Sequence, residues 1–327
     1  MNTTNFSTPR PLFFALTCYF FAPLASADTG IDEVIVSGDL RDSTVLESAA
    51  SISLFDNKLI LKRQARHLED LLNSAPNVNF SSGASRGRFI QIRGIGERSQ
   101  FIEPLNPSVG IMVDGIDFTG IAGAATTMDI QQVEILRGPQ GTLYGANALA
   151  GLISLRAVQP SEQLQGNLEV ALADYNSRTL SAGVGGPLSN NLGFRLAVQK
   201  HSSDGYVEND FLSRSDTNNI DELSLRSILD WQATEDTNLK LTIFHVEADN
   251  GYDAFSLDNS RNTLSDNPGQ DGHEATAVAL QGSWQGHTSF ELASTLSYAN
   301  NNLEYGYDED WTYSDICVDF VCIYDGY

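Results

Sequence analysis

The chain has 327 residues, of which 41% are hydrophobic, and a formal net charge of −23 at pH 7. This length allows two domains, and the apolar content is sufficient for a buried core. So strong a negative charge repels a phosphate backbone, which excludes nucleic acid as an expected partner. After residue 27 no apolar run reaches the ~18 residues that a membrane-spanning helix needs.

The first 27 residues have the pattern of a secretory signal peptide. Arg10 is their only charged residue, an apolar stretch runs from Pro11 to Leu24, and the small residues at 25–27 precede Asp28. We therefore expect cleavage after residue 27 and export of the rest of the chain.

Two cysteines, Cys317 and Cys322, remain after that cleavage, in the sequence CVDFVC. In an exported chain this spacing favours a small disulfide loop. A metal site is the less favoured alternative, because two thiolates without a nearby histidine cannot complete a tetrahedral zinc site.

The segment after the signal peptide contains DEVIVS, residues 32–37, within a polar tail flanked by glycines. Its β-branched residues favour an extended backbone. An extended tail suits strand addition to another protein. A plain edge strand of the neighbouring domain is the alternative.

Short apolar runs between residues 51 and 155 predict a small mixed domain, with a strand at Ile52–Phe55 and a helix at Arg66–Asn73. Further strands are expected at Val78–Phe80, Phe89–Arg93, Val109–Val113, Val133–Leu136 and Leu152–Leu155. The glycines in VEILRGPQGTLYGANALAGLISL, residues 133–155, mark tight backbone and not flexible linker.

Beyond about residue 166 the hydrophobic period changes to two. Leu168, Val170 and Leu172 alternate with polar or small residues, and about eight segments of this kind follow one another. Short turns, as at 187–191, alternate with long polar connections, as at 204–219. This organisation is typical of a transmembrane β-barrel with short periplasmic turns and long outer loops. A soluble β-sandwich shows similar alternation.

Three motifs closely resemble the plug domain of TonB-dependent outer-membrane receptors: FIQIRGIG (89–96), GIMVDGI (110–116) and the glycine-rich segment at 133–155. The resemblance implies an α+β plug domain followed by antiparallel transmembrane β-barrel strands. It divides the chain into a signal peptide (1–27), a TonB box and linker (28–50), a plug domain (51–160) and the N-terminal part of a barrel (161–327). A barrel that encloses such a plug has about 22 strands, so we expect a fragment or a truncated reading frame.

The resemblance also implies energy-coupled import of a scarce nutrient, most often a ferric siderophore, at the cell outer membrane. The expected partners are a TonB-type energy-coupling protein, the ferric siderophore or another small nutrient, and outer-membrane lipid. No catalytic residue, resident metal or cofactor is expected, because iron would enter only as part of a transported chelate.

The residue roles implied by the resemblance fall into three groups. The TonB box is expected at Asp32, Glu33, Val34, Ile35, Val36 and Ser37, and ion pairs between plug and barrel wall at Arg93, Glu134 and Arg137. Ligand contacts are expected at Arg86, Arg98, Gln100 and Phe118, because cationic and aromatic groups suit an anionic chelate that carries rings.

Alternatives remain open. A receptor of the same type would take a non-iron ligand such as cobalamin or an oligosaccharide, and a soluble secreted β-sandwich would be a binding module. The G-x-S-x-G pattern at residues 83–87 would make Ser85 the nucleophile of a periplasmic hydrolase, provided that a helix follows it. The acidic stretches at 247–274 and 308–310 would bind calcium through carboxylate oxygens, although neither has the regular spacing of a calcium loop.

Overall fold

A computed structural model describes residues 35–36, 43–44, 51–98, 107–119, 125–144 and 147–319. The predicted signal peptide and most of the predicted TonB box and linker lie outside these residues. Two residues of the predicted TonB box form β1 (Ile35–Val36), which pairs antiparallel with β2 (Ser43–Thr44) of the linker. No helix in the described part of the chain is long and apolar enough to cross a membrane.

The N-terminal domain is built on a five-stranded sheet in the order β3-β8-β9-β6-β7. Its strands are β3 (Ser51–Asp56), β6 (Val109–Val113), β7 (Ile116–Asp117), β8 (Ile130–Arg137) and β9 (Gly151–Ala157). β9 lies at the centre, antiparallel to β8 and parallel to β6. Its sequence, GLISLRA, is nearly continuously apolar, as expected for a strand covered on both faces.

Beside this sheet, β4 (Val78–Ser81) and β5 (Phe89–Ile92) form an antiparallel pair. The helices of the domain are short: α1 (Asn57–Arg63), α2 (Glu69–Leu72) and α3 (Gly141–Tyr144). The helix predicted at residues 66–73 is observed as the single turn α2. The sequence pattern does not indicate α1, because its 7 residues are too few to establish a helical period.

The C-terminal part of the chain forms one antiparallel sheet of 7 strands. They are β10 (Gln165–Ala173), β11 (Ser177–Ser189), β12 (Leu192–Ser203), β14 (Ile220–Thr234), β15 (Thr237–Tyr252), β17 (Gly269–Trp284) and β18 (Leu292–Gly306). At one end, called here the turn end, the connections are residues 190–191, 235–236 and 285–291. At the other, the loop end, they are 174–176, 204–219 and 253–268, and residues 307–319 follow β18.

The two longest connections at the loop end share a small buried core. Within them, β13 (Glu208–Asn209) pairs parallel with β16 (Asn262–Thr263). The Asn209 Nδ2 atom donates to Asp253 Oδ2 (2.8 Å) and to the Ser265 carbonyl (2.9 Å), and Thr263 Oγ1 donates to the same Asp253 oxygen (2.8 Å). The last helix, α4 (Ile316–Asp319), lies in the segment after β18.

The two faces of the seven-stranded sheet have opposite character. Its outer face is apolar and exposed, and Leu168, Leu172 and Leu296 have 72%, 78% and 73% of their surface accessible. Its inner face carries small and polar residues, such as the buried Ala277 and Ala279, and a few large apolar ones such as Phe244, and it packs on the N-terminal domain. A soluble sandwich would bury its apolar face instead, so the β-sandwich alternative is not supported. The outer face fits the hydrocarbon of a membrane.

Gly151, at the start of β9, shows why the glycine-rich segment of the sequence requires glycine. A Cβ atom at this position would lie 2.4 Å from the Leu136 carbonyl oxygen and 2.6 Å from Ile92 Cδ1. Gly141, in the same segment, has no atom within 4 Å of a Cβ built on it. The segment therefore contains both a glycine that close packing requires and one that it does not.

The substitution Gly151→Ala is expected to lower the free energy of unfolding by about 1–3 kcal/mol, because the added methyl group must displace the backbone of β8. Gly141→Ala should change it by less than about 1 kcal/mol, since alanine fits there and favours helix α3. Urea unfolding of both variants in detergent micelles measures the difference. Equal effects would contradict the assigned packing.

Candidate functional site

The inner face of the seven-stranded sheet and the N-terminal domain meet along one surface, called here the seam. Its apolar part joins Phe118, just after β7, to Phe244 on β15, with ring centroids 5.2 Å apart in an edge-to-face arrangement. Both side chains are fully buried. The two parts of the fold thus share one hydrophobic core, in which Ile228, Val246 and Ala275 of the sheet also take part.

At the loop end of the seam, Arg86 binds two carboxylates. It lies in the loop between β4 and β5, and its Nε and Nη2 atoms donate to the two oxygens of Glu222 on β14 at 2.6 and 2.7 Å. Its Nη1 atom donates to Glu69 Oε1 at 3.1 Å, while the other Glu69 oxygen accepts from the Gly87 N–H. This bidentate arrangement connects helix α2, the loop and the wall strand.

A second group of contacts extends the same cluster. Asp271, on β17, accepts hydrogen bonds from the Ser85 N–H (2.9 Å) and hydroxyl (2.5 Å) and pairs with Arg88. Asn250, at the end of β15, donates to Ser85 Oγ and to Glu222 Oε1, both at 3.0 Å. Side chains of three wall strands, β14, β15 and β17, therefore bind one loop of the N-terminal domain, residues 82–88.

Aromatic rings continue from this cluster toward the loops. Arg88 lies over the ring of Tyr305, with Cζ 5.7 Å from the centroid. The Tyr305 ring lies 5.6 Å from that of Tyr252, which in turn lies 5.8 Å from Phe255. Phe255 stacks on Trp311 at 5.1 Å. These five residues form a continuous path from the seam to the exposed loop surface, called here the aromatic path.

Farther from the loop end the signs of the paired charges are exchanged. There the wall supplies the cations and the N-terminal domain supplies the anions. Arg195 on β12 binds both oxygens of Asp129 at 2.8 and 2.5 Å. Arg226 on β14 donates to the Met128 carbonyl at 2.9 Å, lies over the ring of Phe244, and has its Nε 4.0 Å from Asp114 Oδ2. Because the cation lies on the N-terminal domain near the loop end and on the wall farther from it, the charges favour one alignment of the domain along the wall.

Burial and charge act in opposite directions on Arg86. Desolvation lowers the pKa of its guanidinium, but the carboxylates of Glu222 and then Glu69 outweigh that effect and raise the pKa. His67 lies in the same cluster, and burial, followed by the charge of Arg86, lowers its pKa below the ordinary value of 6.5. Arg86 is therefore charged and His67 neutral at pH 7.

The three residues predicted to tie plug to wall lie elsewhere in the N-terminal domain. Arg137 donates to the Pro76 carbonyl (2.9 Å) and to Ser53 Oγ (2.5 Å), both within that domain. Glu134 is fully buried and accepts from Gln132 at 2.7 Å. Arg93 is exposed and has a positive φ of 55°. Burial lowers the pKa of Arg137, and the positive charge of Arg93 lowers it further. Among the described contacts, the wall is bound by Arg86, Arg88, Asp114 and Asp129 instead.

The predicted ligand contacts stay predictions, and the structure places their side chains in different surroundings. Arg86 is held in ion pairs with Glu222 and Glu69, and Phe118 has no exposed surface, so in this structure neither is presented to a ligand. Arg98 is exposed, and its carbonyl accepts from Ser81 Oγ at 3.0 Å. Gln100 lies outside the described residues.

The remaining candidate sites are a serine nucleophile, a disulfide and a metal site. Ser85 is followed by a loop and strand β5, and not by the helix that a nucleophile elbow needs, which removes the basis for the hydrolase alternative. Cys317 is disulfide-bonded, and its predicted partner Cys322 lies outside the described residues. Within the described ranges, no group of three or more His, Cys, Asp or Glu residues is arranged to hold a metal ion.

Charged residues at inward positions of the alternating strands carry the wall side of the seam. They are Arg195, Glu222, Arg226 and Asp271. The sequence contains a signal for them, because a charge on the inner face of such a strand needs a partner inside the barrel. That signal identifies the wall residues but not their partners.

Comparison with known proteins agrees with this architecture. Residues 44–152 match the family model described as TonB-dependent Receptor Plug Domain. The chain is 24% identical over 309 residues to the ferric enterobactin receptor PirA of Pseudomonas aeruginosa, and 27% identical over 304 residues to the iron-regulated outer membrane virulence protein of Vibrio cholerae serotype O1. These alignments cover 84% and 85% of this chain but 41% and 44% of the relatives, so the chain spans less than half of their length.

A solved structure shows the same fold. The ferric yersiniabactin uptake receptor FyuA from Yersinia pestis superposes with a TM-score of 0.71 and 19% identity, over 79% of this chain and 42% of that chain. A mixed domain seated on the inner face of an antiparallel sheet with an apolar outer face defines a plugged outer-membrane barrel protein.

Residues 44–152 are accordingly a TonB-dependent receptor plug domain, and the strands that follow have the fold of the matching barrel strands in the solved receptor. Members of this family are transport receptors of the cell outer membrane. The N-terminal domain is from here on called the plug, and the seven-stranded sheet the barrel wall.

The substitution Glu222→Gln is expected to destabilise the protein by about 3 kcal/mol, because it leaves the buried Arg86 with only Glu69 as a charged partner. Asp221→Asn, at the neighbouring residue, removes an exposed pair with Lys200 and should cost less than about 1 kcal/mol. Urea unfolding midpoints of the two variants provide the comparison. Equal midpoints would show that the Arg86 pair does not hold the plug.

Stability should also fall in mild acid. Because the native pKa of His67 is lowered below 6.5, the unfolded state binds more protons as the pH falls. The contribution of neutral His67 is complete above pH 6.5 and is lost toward its native pKa, with a slope of at most about 1.4 kcal/mol per pH unit. The free energy of unfolding should therefore change less between pH 7 and pH 5 for His67→Gln than for the parent chain. His287→Gln, in the exposed segment at the turn end, should keep the original slope.

Proposed function

We propose that this protein takes part in energy-coupled uptake of a ferric siderophore across the outer membrane. Its work is binding and gated movement, without a covalent step. Iron is cargo within the chelate, and no resident cofactor is required. The observation that supports this proposal best is the plug bound to the inner wall through charges of both signs, beneath an aromatic path that leads to the loops.

The relatives support the ligand class. The curated names of two of them refer to ferric enterobactin and to iron regulation, and the solved structure is that of a ferric yersiniabactin uptake receptor. In this protein, the aromatic path offers flat apolar surface for a ring-bearing chelate. Its inner end, at Arg88 and Tyr305, contacts the plug loop that the wall strands hold.

The proposed energy-coupling partner is a TonB-type protein in the periplasm. Residues 32–37, DEVIVS, would add as a strand to this partner, with main-chain hydrogen bonds providing the affinity. A pull on this segment would act on the plug, which is separated from it by the residues before β3. Because the seam is held by charges as well as by apolar contacts, movement of loop 82–88 would break the ion pairs that Arg86 and Arg88 make with the wall.

Uptake of radioactive iron tests the proposal. In the source bacterium under iron limitation, deletion of the gene should lower the uptake of iron supplied as a ferric siderophore. A gene copy with Ile35→Val should restore uptake. A copy with Ile35→Pro should fail by at least about tenfold, because proline removes a main-chain donor from the added strand.

Other results would lead elsewhere. Unchanged iron uptake together with reduced uptake of labelled cobalamin or an oligosaccharide would keep the transport role and overturn the iron assignment. Full restoration by Ile35→Pro would overturn the proposed role of residues 32–37 in energy coupling.

A further inference from the structure

We infer that the loop end of this receptor selects neutral or cationic chelates and excludes polyanionic ones. The inference rests on the proposed function and names the charge class of its ligand. It follows from where the charges at the loop end lie: Arg86 and Arg88 of the plug are paired within the seam, and the exposed charged groups of the loops are mainly carboxylates.

The plug cations nearest the loop end are neutralised by the wall and by the plug itself. Arg86 is shared between Glu222 and Glu69, and Arg88 pairs with Asp271. The side chains of all five residues have at most 20% of their surface exposed. Each guanidinium therefore faces a carboxylate, and neither presents an unpaired positive charge to a ligand that arrives from the loops. The expectation of an anionic chelate rested on Arg86 and Arg98 as the cations, and Arg86 is held in ion pairs within the seam.

Exposed charges on the loops have the opposite sign. Within residues 204–219, 253–268 and 307–318, the exposed carboxylates are those of Glu208, Asp210, Asp216, Asp258, Asp266, Glu309, Asp310 and Asp315. The exposed cations of these same three ranges are Arg214 and Arg261, and Arg214 is already paired with Asp216 at 2.8 Å. These three segments consequently contribute a negative field at the loop end.

Cations from neighbouring segments do not offset this surplus. Lys200 lies on the outer face of the wall and pairs with Asp221. Arg98 of the plug is exposed, but Glu97 precedes it in the chain, so these two residues together add no net charge.

Trp311 marks the place where the negative field and the aromatic path meet. It is 38% exposed, stacks on Phe255, and directly follows Glu309 and Asp310 in the chain. The face of an indole ring attracts cations by itself, and adjacent carboxylates strengthen that attraction. A chelate with several negative charges would meet repulsion here before it reached the plug.

Collisional quenching of Trp311 fluorescence measures this field without any siderophore. The full chain is used in detergent micelles, with Trp231→Phe and Trp284→Phe so that Trp311 is the single tryptophan. At a fixed ionic strength of ~0.1 M, where the Debye length is about 10 Å, quenching by caesium and by iodide is compared. We expect the ratio of the caesium to the iodide quenching constant to be about fivefold higher than for N-acetyltryptophanamide, since a potential of only about −1 kT enriches cations and depletes anions.

Two matched double variants assign the effect to the loop end. Glu309→Gln with Asp310→Asn should lower the caesium-to-iodide ratio by about twofold, because it removes the two exposed carboxylates that directly precede Trp311 in the chain. Glu235→Gln with Asp236→Asn removes the same two residue types from an exposed turn at the opposite end of the wall and should leave the ratio unchanged. A ratio equal to that of N-acetyltryptophanamide in the parent chain, or an equal response to both variants, would overturn the inference.

Ferric chelates of matched size then connect the field to the ligand. One linear ferric tris-hydroxamate is prepared with a terminal amine, acetamide or succinamide, which gives one positive charge, no charge or one negative charge. A ferric tris-catecholate supplies a polyanion. We expect affinity to fall in that order, by about tenfold between the amine and the tris-catecholate, as judged by quenching of Trp311 in the full chain.

The outcomes separate this inference from the proposed function. Tightest binding of the tris-catecholate, or of the succinamide over the amine, would overturn the charge selectivity while leaving ferric-siderophore uptake intact. A high caesium-to-iodide ratio without binding of any chelate would support the selectivity for positive solutes and count against a ferric siderophore as the ligand.

Discussion

The fold of this chain depends on one constraint: a charge enclosed between a plug and a barrel wall must have a partner of opposite sign. Arg86 with Glu222 meets this constraint at the loop end, and Arg195 with Asp129 meets it deeper in the seam. Because the plug supplies the cation in the first pair and the anion in the second, a shift of the plug along the wall would bring like charges together. The pairs thus provide specificity of position, while the shared apolar core provides most of the free energy of association.

The same constraint explains which parts of the structure were predictable. The plug strands follow from local apolar runs between turn residues, and β6 is observed with the predicted bounds, Val109–Val113. The wall strands follow from their period of two, although β11 escapes notice because its sequence, SRTLSAGVGGPLS, is rich in small residues. The charge that a side chain meets across the seam cannot be predicted in this way, because its partner is distant in the sequence. Arg86 lies 136 residues from Glu222 along the chain, and no local pattern relates the two.

Arg86 and Phe118, both predicted to contact a ligand, lie against the wall for a common physical reason. A loop residue of a plug faces either outward or the wall, and the choice depends on which strand lies opposite. The sequence identifies the inward charges of the wall, such as Asp271, because each of them needs a partner when it is enclosed. It does not identify the plug residue that supplies that partner. The predicted roles of Arg93, Glu134 and Arg137 show the reverse case: Arg137 has found partners within the plug at Pro76 and Ser53.

The parallel pairing of β13 with β16 has a consequence for how the outer surface of this protein can evolve. Asn209, Asp253, Thr263 and Ser265 join the two longest loops through buried hydrogen bonds, so each loop completes the interior of the other. Loops of receptors are usually the freest part of the sequence to change. Here an insertion or substitution within residues 204–219 would expose polar groups of residues 253–268, and the two segments should therefore co-vary among homologues as a single heritable module.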